Sequence, residues 1–329
     1  MNRRIGLLSA ELAADFYDEI LFDGATYADL DRGTGPMIVA AGTDVTSGAR
    51  FYFTQAMFDI LCSDLSQVRL SRAAATSSAV PVVLSPVTYD NYGGTCGYRE
   101  PPWLELIANP QHPIRPAARS VRYFTDLRAY EDGKERPYIH VVDGGVGDNL
   151  GMRGVLDVMD QVEALRLVGQ PTPLDHVKRM ALVVVNSLSS PKTDLDKKEA
   201  GPSAFYQLMQ STAVPIDHYS FEAVEMLRDI AARWKSLRGI RDSGAITDPS
   251  NPALNEVMRV PDTEVYVVDV SFAMLDDAAL RDQLNELPTS FALPDEAVDN
   301  LRTAARRIIN ASPDFQRFLK DAGFSVVAH

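Results

Sequence analysis

The stretch Tyr138-Ile139-His140-Val141-Val142-Asp143-Gly144-Gly145-Val146-Gly147-Asp148-Asn149-Leu150-Gly151 constrains this chain more than any other. Five mostly apolar, β-favouring residues run into one acid, and a loop holding Gly144, Gly145 and Gly147 follows at once. Beyond it Val155, Val158, Met159, Val162 and Leu165 recur at helical steps until Gly169 and Pro171 stop the pattern. This order puts Asp143 at the carboxyl end of a buried strand, the edge of an open α/β sheet where ligands and reacting groups collect. An Asp-Gly pair alone more often only turns the chain. A hairpin turn would lead into a second strand, however, and here a helix follows. Paired glycines also let backbone approach another group closely.

The rest of the chain alternates strands and helices. Residues 9–22 read as a helix with Leu12, Phe16, Ile20 and Leu21 on one side. Met37 to Ala41 reads as a short apolar strand that stops at Gly42-Thr43-Asp44; a turn at Ser47-Gly48 leads to a second strand, Arg50 to Phe53. Asp44 is a candidate acid, although an Asp in such a turn usually accepts backbone amides. Val68 to Pro81 is a helix dominated by small residues, which suits close packing, and Thr88 to Pro102 reads as a loop. Met180 to Val185 predicts a buried strand ending in the polar loop Asn186 to Pro191, and Lys192 to Ala200 predicts a solvated charged segment. Phe221, Val224, Leu227, Ile230 and Trp234 predict a helix face, and Gly239 to Pro252 a surface loop. Glu264 to Val270 predicts another strand, Pro294 onward a helix, and Ser312-Pro313 to Gly323 a last helix with its caps. This alternation implies an α/β architecture with a mainly parallel sheet.

Charge and cysteine usage narrow the function classes. At 329 residues and net charge −13, the chain is large enough for a sizeable core but carries the wrong sign for nucleic acid. The same charge gives no general attraction to anionic membranes. No apolar run approaches the ~20 residues needed to span a bilayer. Asn2-Arg3-Arg4 and the four residues after them resemble a signal start cut short by Glu11, so nothing within the chain directs it out of the cytoplasm; a leader further upstream would imply export. Cys62 and Cys96 lack metal-ligand spacing. They are either two buried thiols or, in an exported protein, a disulfide. The five histidines form no metal motif, and no metal or cofactor is expected.

Four segments together resemble the patatin-like phospholipase family. Ala40 to Gly48 resembles its "TD…TG" strand and turn, and Ala74 to Pro81 with Ser85-Pro86-Val87 its "ASSA-P…PV" stretch. Asp143 to Asn149 resembles its "DGG…N" motif, the most specific of the four, and Leu287 to Phe291 a "PTS-F" segment of bacterial members. The match runs from about Tyr17 to Phe318. The resemblance implies a three-layer patatin-like domain over residues 1–329: a lead-in at 1–36, a sheet region at 37–190 and a mainly helical part at 191–329 with one further strand. It also implies a serine hydrolase of lipid acyl esters that uses a Ser–Asp dyad, with Asp143 as the base and Gly144, Gly145 and Asn149 beside it. A carboxylate at hydrogen-bond distance can take the proton that makes a serine nucleophilic.

The nucleophile elbow G-x-S-x-G is absent from the sequence. Ser203 and Ser325 have glycine two residues before them but Phe205 and Val327 two residues after. The family's glycine-rich oxyanion segment is absent as well. The expectation is a domain incomplete at its N-terminus, either because the protein begins further upstream or because the nucleophile has been lost. Loss would leave apolar surface and strand edges exposed. The alternative function, of a different class, is a non-catalytic lipid- or partner-binding protein.

Overall fold

The computed structural model describes residues 9–324 apart from 32, 102–103, 105–117, 189–194, 198, 289 and 291. The leader-like start at 2–8, the loop end Ser189-Ser190-Pro191, Lys192, Thr289, Phe291 and Ser325 lie outside the described residues. The chain divides into two compact units, Met1–Ala164 and Leu165–His329. Both combine helices with strands, so the class is α/β.

Unit one runs α1 (Ala10–Tyr17), β1 (Ala41–Asp44), β2 (Arg50–Tyr52), α2 (Gln55–Ile60), α3 (Leu70–Ser77), β3 (Val87–Asp90), α4 (Ala118–Arg128), β4 (Tyr138–Asp143), a single turn Gly145–Asp148, and α5 (Met152–Leu167), within which the boundary falls. The strands form a four-stranded sheet in the order β2-β1-β4-β3. Every pairing in it is antiparallel, which corrects the mainly parallel sheet expected from the sequence. A helix between strands permits a parallel crossover without requiring one. Here β1 and β2 share a tight polar turn, and β3 returns to β4 with the chain reversed.

Local readings shift for steric reasons. The strand expected at Met37 to Ala41 lies instead at Ala41–Asp44, and Met37 and Ile38 are 81% and 54% exposed. Space selects this register. A Cβ on Gly42 would sit 3.2 Å from Thr76 Cγ2 and 3.1 Å from the Val142 carbonyl, so a side chain cannot replace the glycine there without a shift of its neighbours. Thr88, Tyr89 and Asp90, expected in a loop, belong to β3, where Val87 and Tyr89 point inward and Thr88 and Asp90 outward. The expected turn at Ser47-Gly48 closes the β1–β2 hairpin. α1 buries its small face, Ala10 and Ala14, and leaves Leu12 and Phe16 exposed, as are Ile20 and Leu21 of the π-helical turn Asp18–Phe22 that follows. The unit's core is aromatic. Phe51 meets Phe53, Phe58, Tyr89 and Tyr130 at ring-centroid distances of 5.5–6.5 Å, the spacing at which ring quadrupoles add to simple burial.

Unit two pairs β5 (Arg179–Asn186) in parallel with β6 (Glu264–Ser271). Its helices are α6 (Ala204–Asp242), α7 (Ala278–Asn285), α8 (Asp295–Ala311) and α9 (Pro313–Asp321). Val268 and Val270 of β6 pack with Leu284, Ala304 and Ile308. β5 is a strand as expected but not a buried one, since Val183 and Val185 are exposed. α6 continues through Gly239 into the segment expected to be a loop, and Phe221 is exposed while Val224, Leu227, Ile230 and Trp234 are buried. The last helix has the expected caps. Ser312 Oγ accepts from the Phe315 N–H at 3.4 Å, and Gly323 closes the helix at φ +79°.

Candidate active site

Asp143 is the last residue of β4, opposite Gly42 of β1, and its backbone is held from three sides. Its N–H donates to the Ala79 carbonyl at 3.0 Å, and the next N–H, that of Gly144, donates to the Ser77 carbonyl at 3.2 Å. Thr43 Oγ1–H donates to the Asp143 carbonyl at 2.9 Å and accepts from the Gly147 N–H at 3.0 Å. Three of the segments singled out in the sequence, around Thr43, Ala79 and Asp143, therefore meet at the Asp143 backbone. The fourth, around Leu287, belongs to unit two.

The side chain of Asp143 is half-buried. Its Oδ1 accepts from the Gly145 N–H at 2.7 Å. Its Oδ2 accepts no hydrogen bond from the described residues. Burial raises the carboxyl above the ordinary Asp value, and the Gly145 N–H only partly offsets this. A Cβ on Gly145 would lie 3.0 Å from Asp143 Oδ1 and 2.9 Å from Asn149 Oδ1, so a side chain there would displace the ends of these two side chains. Gly144 is buried beneath the acid, whereas Asn149 is exposed at the end of the turn.

The other two acids of these motifs do different work. Asp148 is buried and uses both oxygens. Oδ1 accepts from the Arg153 N–H at 3.2 Å and Oδ2 from the Gly154 N–H at 3.0 Å, which caps the start of α5. Asp44 is fully buried, accepting from the Thr46 N–H and the hydroxyls of Ser47 and Tyr130, with Arg136 at 2.6 Å. Burial alone would raise its carboxyl, but the bonds from Ser47, Arg136 and Thr46 outweigh burial and hold it below the ordinary value. Asp44 is thus a structural anion, as its position in a turn suggests, with two long-range partners added. Comparison with known proteins gives no family model, no curated relative and no solved structure that matches the chain.

The serines do not complete a dyad within the described residues. Ser77 presents its carbonyl to Gly144, Ser78 Oγ–H donates to the Ala74 carbonyl at 3.0 Å, and Ser203 caps α6 by accepting from the Tyr206 N–H. Among the described residues, no serine or histidine is hydrogen-bonded to the Asp143 carboxylate, and no group of three or more His, Cys, Asp or Glu could hold a metal. No helix among them is long and apolar enough to cross a membrane. Cys62 and Cys96 form a disulfide with a Cα–Cα distance of 5.4 Å, which decides between the two states left open by the sequence.

Proposed function

We propose that this chain carries the general base of a patatin-like acyl-ester hydrolase, acting on lipid esters, with Asp143 as the proton acceptor. The observation that carries the reading is the asymmetry of its carboxylate. Oδ1 is fixed by the Gly145 N–H, Oδ2 accepts from no described protein group, and burial lifts the proton affinity. A base works best when its pKa moves toward the operating pH, and burial moves an Asp in that direction. Both carboxylate oxygens of Asp44 and of Asp148 already accept hydrogen bonds from the protein. The nucleophile in this reading is a serine on an elbow outside these 329 residues.

The residues alone are then expected to turn over no ester, since oxyanion donors are a large part of such catalysis and a base cannot replace them. In a longer reading frame that joins them to an elbow, Asp143→Asn is expected to lower kcat/KM by about 10²–10⁴-fold without loss of Tm. Asp148→Asn is expected to keep turnover and to lose about 1 kcal/mol of stability, because Asn has one acceptor oxygen where two are used. Wild-type turnover in Asp143→Asn would refute the assignment. The second reading, a non-catalytic binding protein, is favoured by the lack of any described serine at the carboxylate. It predicts no labelling by a fluorophosphonate probe even in the longer frame.

A further inference from the structure

Away from Asp143, unit one contains a cavity of about 280 Å³ between β2, α2, α4 and α5. Asp143 and Gly144 do not line it. Met57, Ile60 and Leu127 with the rings of Tyr52, Tyr123 and Phe124 supply most of its wall. Its charged groups are few and unequal. Arg128 is forked onto Glu100, with Nη2 to Oε2 at 2.7 Å. Asp157 is neutralised by Arg50 from behind the wall. Glu131 stands beside Glu100, and its carboxyl is raised by burial and then by the Glu100 charge. Among the described residues, three carboxylates line the cavity with one guanidinium, Arg128, and a second, Arg50, stands behind it, so the described lining carries a surplus negative charge, shared by the hydrogen-bonded pair Glu100 and Glu131.

We propose that this cavity is a binding site for a small organic cation with an aromatic or apolar body, in chemical class an arylalkyl amine. An apolar concavity with a few polar groups at one end is the usual form of a small-molecule site, and this volume is near the lower end of the ~300–1,000 Å³ range. The ammonium group would sit against the Glu131 and Glu100 carboxyl pair and balance its charge. Tyr98, which also lines the cavity, would offer a ring face to the same charge. The body would lie against Met57, Leu127 and Tyr123. An anion of the same shape would meet uncompensated negative charge and is rejected. The site would not need Asp143, so it stands or falls separately from the hydrolase reading.

The test is calorimetric titration of the intact, disulfide-bonded chain with 2-phenylethylammonium and, separately, with 3-phenylpropanoate. Saturable binding of the amine is expected, with the carboxylate at least about tenfold weaker. Glu131→Gln should weaken the amine about tenfold at unchanged Tm, since it keeps the shape and removes the charge. Leu127→Trp should fill the cavity and abolish binding; if it does not fold, Glu131→Gln decides alone. No saturable binding of the amine, equal binding of the carboxylate, or an unchanged affinity in Glu131→Gln would overturn the proposal.

Discussion

Asp44 and Asp143 stand on neighbouring strands, and their surroundings set their proton affinities apart in opposite directions. Asp44 has a depressed folded value. Its contribution to stability is present above the ordinary Asp value of ~3.9 and is lost as pH falls through the folded value. Asp44→Asn leaves Arg136 without its buried partner and is expected to cost about 3–5 kcal/mol, read by denaturant unfolding. A cost below about 1 kcal/mol would show that the pair is incidental. Asp143 has a raised folded value, so its stabilising share is present below ~3.9 and lost as pH rises through the folded value. Asp143→Asn should therefore raise Tm at pH 7, and the gap should close in acid; a lower Tm at pH 7 would contradict this. Asp143 and its glycines were legible because strand, acid and glycine turn are contiguous. The anchors of Asp44 were not, since Tyr130 and Arg136 come from far along the chain and no local pattern marks them. The same is true of Glu131, whose site is assembled from four elements.

Periodicity located most elements but not their partners. β2, β6, α8 and α9 follow the apolar pattern closely, whereas β1 lies beyond the apolar run that predicted it. Strand direction did not follow, because alternation tells which face of a strand is buried and says nothing of the neighbour it pairs with. β3 was missed although Val87 and Tyr89 alternate inward, because Pro86 and the downstream glycines gave the segment a loop-like composition. The Cys62–Cys96 link ties the end of α2 to the loop after β3 across 34 residues of sequence. Loop-closure entropy puts its contribution at about 3–4 kcal/mol. Reduction should lower Tm accordingly, and alkylation without reductant should label neither cysteine. Two labelled thiols in protein from its native compartment would contradict the link.

At the scale of the whole chain, exposed large apolar residues occur in both units. Leu12, Phe16, Ile20 and Leu21 of the first helical segment and Met37, Ile38 and Val39 of the strand lead-in are all exposed, as are Val183 and Val185 on β5. Single exposed apolar side chains are ordinary on a protein surface. The hydrolase reading proposed for this chain rests instead on Asp143. That account depends on one property above all, a carboxylate that holds its proton more tightly than an ordinary Asp while its second oxygen stays unengaged. Carboxyl-carbon NMR of the intact chain, titrated from pH 7 downward, measures this directly. The account predicts that Asp143 titrates above the ordinary ~3.9 and Asp44 below it. Asp143 titrating at or below the ordinary value would contradict it.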